Sequence, residues 1–312
     1  MTVPPAAVDA LADRLPPLVR RDVPTGPLTT YGVGGPAALA VTVRDEDELA
    51  AVARAVAAGE GPVPVLVVGL GSNLLVSDAG FDGLVVVLGP AFADIAIAGT
   101  TVRAGARAKL PVVARRTAGA GLTGFEWAAG VPGSVGGAVR MNAGVPDAEI
   151  GDCLTRVRVV DLASGEDGVV PASDLSLGYR SSSIRPEQVV VWAELELAAA
   201  DADVARAAIK EKTQWRRDNQ PGGRNAGSVF TNPEGTSAGR LIDGAGCKGL
   251  RIGTAEVSPK HANFIQSDEG GRAQDIWDLM VEVRRRVHEQ TGIVLHVETC
   301  LVGFAAMPEL VS

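Results

Sequence analysis

Ser228 lies in Asn225-Ala226-Gly227-Ser228-Val229-Phe230, a hydroxyl in a small-residue turn that follows Arg216, Arg217, Gln220 and Pro221. As a nucleophile it would need a base. The histidines are His261, His288 and His296, and there is no Gly-x-Ser-x-Gly elbow, so a hydrolase is poorly supported. A serine can also give up a proton. Its pKa is too high for most leaving groups but adequate when the acceptor is a basic carbanion carbon. The alternative is a structural turn serine. Tyr179-Arg180 precedes Ser181-Ser182-Ser183 in a polar stretch, where Arg180 is either a bidentate carboxylate clamp or a solvated loop cation. Glu298 falls in an alternating run from Ile293 to Val302 that reads as a closing strand. There it shares a face with Val294, His296, Cys300 and Val302. A carboxylate so shielded is either functional or structurally paired. His261, close to Asn263 after Ser258-Pro259-Lys260, is either polar site lining or a satisfied structural histidine, and His288 is a surface residue on a helix.

Two glycine segments could hold an anionic ligand. Gly69-Leu70-Gly71-Ser72-Asn73 follows a strand, but a Rossmann fingerprint needs a helix next. Leu74-Leu75-Val76-Ser77-Asp78-Ala79-Gly80 instead leads to another strand. A strand–loop–strand of Gly, Ser and Asn is either an anion nest of backbone amides or an ordinary tight turn. The second segment runs Ala129-Gly130-Val131-Pro132-Gly133-Ser134-Val135-Gly136-Gly137-Ala138, then Met141-Asn142-Ala143-Gly144. Five glycines in its fifteen residues from Gly130 let backbone approach a ligand, or form a packing corner. Two such loops about sixty residues apart favour a nucleotide-phosphate site.

The elements that must position these residues follow from periodicity. Ala37 to Val43, Val63 to Val68, Leu84 to Leu88, Ala93 to Val102, Leu154 to Leu162 and Val189 to Leu197 read as strands. Asp45-Glu46-Asp47-Glu48 opens a helix carrying Leu49, Val52 and Val56, with a capping pair at Asp45 and Glu48 and a stop at Gly59. Pro111 to Ala120 and Asp201 to Arg217 read as helices. Ile276, Leu279, Met280, Val283 and Val287 mark one face of a long helix ended by Gly292. The absence of a regular βαβ beat predicts an α+β fold, with a domain boundary near the start of the Asp201 helix.

Length and composition agree. A chain of 312 residues exceeds one ordinary core, and 46% hydrophobic with 21% charged residues is globular. A net charge of −8 disfavours broad nucleic-acid binding, while leaving room for a local basic pocket. Cys153, Cys247 and Cys300 match no zinc spacing and read as reduced thiols, so no residue is assigned to a metal. Pro4, Pro5 and scattered charges replace the apolar run a signal peptide needs, and the apolar runs are strand-length. The expectation is a soluble cytoplasmic protein.

In order along the chain, Thr30-Tyr31-Gly32-Val33-Gly34-Gly35-Pro36-Ala37, Gly71-Ser72-Asn73, Val131 to Gly137, Gly178-Tyr179-Arg180, Asn225-Ala226-Gly227-Ser228 with Asn232-Pro233, Ala245-Gly246-Cys247-Lys248-Gly249, Val257 to Phe264 and Glu298 together resemble one family. It is that of UDP-N-acetylenolpyruvoylglucosamine reductase, also called UDP-N-acetylmuramate dehydrogenase, of bacterial peptidoglycan synthesis. The resemblance implies an N-terminal extension over 1–26. An FAD-binding domain of the vanillyl-alcohol oxidase type, in two subdomains, would follow over 27–198, and a smaller α+β substrate-binding domain over 199–312. It implies non-covalent FAD at Gly69, Gly71, Ser72, Asn73, Val131, Pro132, Gly133, Ser134, Gly136 and Gly137, reduced by NADPH. The enolpyruvyl ether of UDP-N-acetylglucosamine would then be reduced to UDP-N-acetylmuramate. Ser228 would protonate the α-carbon, Arg180 and Glu298 would stabilise the enolate-like carboxylate, and Tyr179, Arg216, Asn232 and His261 would contact substrate. Such a role ties the chain to cell-wall formation, cell shape and cell division.

Only 48 positions separate Arg180 from Ser228, too few for the tyrosine-bearing lid of the family's longer class, so the shorter class is implied. Two positions depart from the family pattern. Thr231 stands where lysine is common, and Val145-Pro146-Asp147 where a tyrosine often approaches the substrate diphosphate. Arg216, Arg217, Arg224 or Lys260 would have to compensate. The rivals are an FAD-dependent oxidase on the same cofactor fold and a catalytically silent flavin- or sugar-nucleotide-binding protein. Many such oxidases attach flavin to a histidine or cysteine of the cofactor domain, and only Cys153 could serve here.

Overall fold

The computed structural model describes residues 3–15, 18–59 and 63–310; of the extension read over 1–26, residues 1, 2, 16 and 17 lie outside the described residues. The fold is α+β, as expected. The chain divides into two compact units. One comprises the chain through Val23, Ala38–Leu70 and Asp82–Arg216; the other comprises Pro24–Ala37, Gly71–Phe81 and the chain from Arg217 onward. The helix Ala202–Asn219 therefore falls mostly in the first unit.

Two sheets dominate the first unit. In the four-stranded sheet the order is Arg20–Pro24, Pro36–Val43, Phe81–Leu88, Val65–Val68. Its last two strands are parallel, with Val65 opposite Leu84 and Val68 opposite Val87. Leu84, Val85 and Val86 are each fully buried, which is why this strand reads as a continuous apolar run rather than an alternating one. The five-stranded sheet is antiparallel throughout, in the order Asp167–Pro171, Leu154–Asp161, Gln188–Glu196, Thr101–Gly105, Ile95–Ala98. The run from Ala93 to Val102, read as one strand, is instead a hairpin: Ala98 pairs with Thr101 across Gly99-Thr100. The apolar pattern survives a two-residue turn, so periodicity alone does not reveal the reversal.

The helix Glu46–Ala57 is capped as its sequence requires, Asp45 accepting from the Glu48 amide at 2.9 Å. Glu48 closes the reciprocal contact one residue early, accepting from the Arg44 amide at 2.7 Å. Leu49, Val52 and Ala53 turn inward from it.

In the second unit, Ala273–Thr291 is the main helix and Gly292 its left-handed stop. Ile276, Leu279, Met280, Val283 and Val287 are all buried, on a core shared with Tyr31, Leu75, Val229 and Phe230. Each such aliphatic side chain contributes about 1.5–3 kcal/mol. The helix begins on Asp78, whose carboxylate accepts from the amides of Ala273 and Gln274 at 2.9 and 3.0 Å. A three-stranded antiparallel sheet (Arg251–Ile252, Ala255–Val257, Ile265–Ser267) adjoins it. The predicted closing strand is shorter than its alternation suggests. Only Cys300–Val302 is regular, pairing in parallel with Leu74–Val76, and residues 293–299 are irregular apart from one bridge at Val297. Among the described residues no helix is long and apolar enough to cross a membrane.

Candidate functional site

Ser228 and Glu298 belong to the second unit and sit on paired segments. Asn225 Oδ1 accepts from the Gly227 amide at 3.1 Å, an Asx turn that bends the chain into Ser228. Val229, Phe230 and Thr231 then run between two neighbours. On one side Glu298 N–H donates to the Val229 carbonyl at 2.8 Å and Thr231 N–H to the His296 carbonyl at 2.9 Å, with Phe230 opposite Val297. On the other, Val229 N–H donates to the Asn263 carbonyl at 2.9 Å, and the Asn263 side chain engages both main-chain groups of Phe230. Ser228 is half-buried at the mouth of this arrangement and Glu298 half-buried beside it. The face argument for Glu298 does not hold, because its segment is not a regular strand and His296 is exposed. Pairing with Val229, a long-range contact, holds its main chain instead.

A cavity of about 670 Å³ opens at Ser228, lined also by Asn232, Arg240, Lys248, Lys260 and His261. Of the residues predicted to contact substrate, it gathers Asn232 and His261. Asn232 Oδ1 accepts from the Ala238 amide at 3.0 Å, tying the cavity wall to the start of the helix Ala238–Gly244. Asn263 N–H donates to His261 Nδ1 at 3.2 Å, which requires that nitrogen to be unprotonated and leaves Nε2 as the donor. Burial holds the imidazole below its ordinary pKa, with the charge of Lys248 acting in the same sense.

Three cations in the lining suit a phosphate-bearing ligand, partly offset by Asp243, which pairs with Lys248 at 2.7 Å. Of the compensating cations expected, Lys260 is there, its Nζ also bonded to the Arg217 carbonyl at 2.6 Å. Arg224 is instead paired with Glu269 at 3.1 Å, over Gly32. Lys248 and Arg240 were missed. Lys248 stands in Cys247-Lys248-Gly249, where a charge between small residues was a usable signal; Arg240, in a helix of seven residues, offered none.

Tyr179, Arg180 and Arg216 belong to the first unit. Arg180 has a left-handed backbone (φ 55°), uncommon for a residue with a side chain. Its Nη2 donates to the Gly144 carbonyl at 2.9 Å, and its guanidinium carbon lies 5.1 Å from the Tyr179 ring centre. Asn142, fully buried and also left-handed, organises this loop. Its Nδ2 donates to Glu149 at 2.7 Å and to the Gly178 carbonyl at 3.0 Å, while Oδ1 accepts from the Gly151 amide at 3.1 Å. Sequence pattern gives Asn142 no role, since its partners lie seven, nine and 36 residues away. Burial also lowers the pKa of the Arg216 guanidinium, whose Cδ packs near Gly130.

The two glycine loops meet at Gly69 and Ser134. A Cβ on Gly69 would overlap Ser134 Oγ, so the glycine leaves room for that hydroxyl. Ser134 caps the helix Val135–Met141, and the Val135 and Gly136 amides are fixed on the Ala108 and Ala106 carbonyls at 2.9 and 2.8 Å. Gly71 is left-handed (φ 62°), and a side chain there would strike the Leu28 carbonyl. The approach of Gly69 to Ser134, with only a small hydroxyl side chain between them, fits a flavin nucleotide's diphosphate.

Residues 37–167 match the family description "FAD binding domain", and residues 219–302 match "UDP-N-acetylenolpyruvoylglucosamine reductase, C-terminal domain". The UDP-N-acetylenolpyruvoylglucosamine reductase of Acidiphilium cryptum is 44% identical over 286 residues, 90% of each chain. That of Azorhizobium caulinodans is 39% identical over 312 residues, covering 98% of this chain and all of its own. The crystal structure of UDP-N-acetylenolpyruvylglucosamine reductase from Thermus caldophilus superposes with a TM-score of 0.79 at 37% identity, covering 91% of this chain and 99% of that one.

Proposed function

The chain belongs to the UDP-N-acetylenolpyruvoylglucosamine reductase family, and from that premise we propose which of its residues carry the reaction. It is an NADPH-dependent flavin oxidoreductase that reduces the enolpyruvyl ether of UDP-N-acetylglucosamine in peptidoglycan precursor synthesis. FAD, once bound, would supply the two-electron chemistry between NADPH and the enolpyruvyl β-carbon.

Ser228 gives its hydroxyl proton to the α-carbon, which becomes strongly basic as hydride reaches its neighbour. Arg180 and Glu298 stabilise the enolate-like carboxylate while that charge develops. Gly69, Gly71, Ser72, Asn73, Val131, Pro132, Gly133, Ser134, Gly136 and Gly137 hold FAD without a covalent bond. Tyr179, Arg216, Asn232 and His261 orient the sugar nucleotide, with Lys248, Lys260 and Arg240 supplying charge for its diphosphate. The FAD-binding domain runs over 27–198 and the substrate-binding domain over 199–312. The enzyme works in the cytoplasm, on small molecules and not on nucleic acid, and its product feeds growth and division of the wall.

The observation that most supports the residue assignment is the pairing of the Ser228 segment with the Glu298 segment at the edge of a cationic cavity. The test is NADPH consumption with the enolpyruvyl sugar nucleotide, compared between wild type and Ser228→Ala. Hydrogen peroxide matching substrate consumed would instead mark an oxidase.

A further inference from the structure

Asn73 lies in the loop assigned to the cofactor, yet its side chain is turned to a different task. The parallel pair of Leu74–Val76 with Cys300–Val302 begins at Leu74 opposite Cys300. Just before it, the Asn73 carbonyl accepts from the Cys300 amide at 3.0 Å, and Asn73 Nδ2 donates to the Glu298 carbonyl at 3.0 Å. The side-chain amide thus reaches past the regular ladder, to where the backbone has no further strand to offer. Glu298 N–H is already given to the Val229 carbonyl at 2.8 Å. Both main-chain groups of Glu298 are therefore held, one by the residue after Ser228 and the other by Asn73.

The two ends of the Asn73 loop are fixed as well. Thr30 N–H donates to the Gly71 carbonyl at 3.1 Å, and Ser77 N–H to the Val302 carbonyl at 2.8 Å. A loop anchored at both sides gives Asn73 a firm base from which to hold Glu298. Because a hydrogen-bonded peptide group on each side limits rotation about the Glu298 backbone, the Cα–Cβ bond from which its carboxyl reaches is set before substrate arrives.

We propose that Asn73 is a positioning residue for Glu298, its side chain serving the acid while only its main chain faces the cofactor. The proposal rests on the role given to Glu298 above. It also links the segment that carries the acid to the loop read as holding FAD.

The test compares Asn73→Ala, Asn73→Asp, Glu298→Gln and the Asn73→Ala/Glu298→Gln double variant. Asn73→Asp keeps the shape and removes the donor, and so covers the case in which the alanine variant fails to fold. Three quantities are read separately: FAD affinity of the deflavinated protein by quenching of flavin fluorescence, bleaching of flavin absorbance by NADPH, and recovery of that absorbance on adding the enolpyruvyl sugar nucleotide. Asn73→Ala should leave FAD affinity and bleaching within about twofold of wild type and slow the recovery roughly tenfold to a hundredfold, the scale of a misplaced reactive group. In the Glu298→Gln background the same substitution should cost less than about twofold more, since residues acting through one another are not additive. Equal losses in both backgrounds would overturn the proposal, as would weakened FAD binding with normal recovery at saturating FAD. If Glu298→Gln itself recovers at the wild-type rate, the role of Glu298 falls and this proposal with it.

Discussion

Asn263 forms a closed two-bond ring with the main chain of Phe230: its Oδ1 accepts from the Phe230 amide at 3.0 Å and its Nδ2 donates to the Phe230 carbonyl at 2.8 Å. One side chain here does the work of a neighbouring strand for the segment that follows Ser228. Both residues are almost wholly buried, so water cannot replace either bond. Asn263→Ala should therefore lower stability by about 2–6 kcal/mol, the sum of two buried groups left unpaired. Asn263→Asp, which loses only the donor, should be destabilised as well. Urea unfolding followed by tryptophan fluorescence checks this, and an unchanged midpoint for the alanine variant would contradict it.

His261 predicts a pH dependence of stability. Burial holds its folded-state pKa below the ordinary 6.5. As pH falls through 6.5 the unfolded chain gains a proton that the folded chain resists, so stability declines. The decline stops once pH is below the lowered folded value, and above 6.5 this group contributes no slope. His261→Gln should flatten the stability profile on the acid side of 6.5 relative to wild type. Parallel thermal melts from pH 5 to pH 8 measure it, and identical slopes would show that His261 is not buried as described.

At Gly71 the prediction concerns the cofactor. A methyl group there meets the Leu28 carbonyl in a backbone conformation that side chains disfavour. Gly71→Ala should weaken FAD binding by at least about tenfold, roughly the effect of 1.4 kcal/mol of strain or displacement at the loop. Flavin-fluorescence titration of the deflavinated protein decides, and wild-type affinity would remove this loop from the FAD site.

Lys248 lines the same cavity as Ser228 and shares its charge with Asp243. Removing the ammonium leaves the Asp243 carboxylate to repel a diphosphate. Lys248→Met should raise KM for the sugar nucleotide roughly tenfold, as expected for losing one charge-assisted contact. Bleaching of flavin by NADPH should be unaffected. An unchanged KM would place the diphosphate elsewhere.

Local chemistry was the legible part of this chain. Asp45 with Glu48, Gly292 behind a helix of buried Ile276, Leu279 and Val283, and the fully buried Leu84 run were all visible because their causes lie within a few residues. What escaped depends on distance in sequence. The Ala98–Thr101 reversal hides inside an unbroken apolar run. Glu298 is placed not by strand alternation but by pairing with Val229, 69 positions earlier. The bonds from Asn142 to Gly178 and from Asn73 to Glu298 span 36 and 225 residues. No period or cap announces such bonds, and they are the ones that orient Arg180 and Glu298. Lys248 lay between these cases: present in a quoted motif, but assigned a place only by the cavity.

The central claim is that Ser228 protonates carbon. It is tested most directly by observing the two halves of turnover separately in Ser228→Ala. NADPH should bleach the variant's flavin at the wild-type rate, because that step needs no proton on substrate. Recovery of the flavin absorbance with the enolpyruvyl sugar nucleotide should slow by about a hundredfold or more, in the range expected for loss of a general acid. Recovery at the wild-type rate would contradict the account.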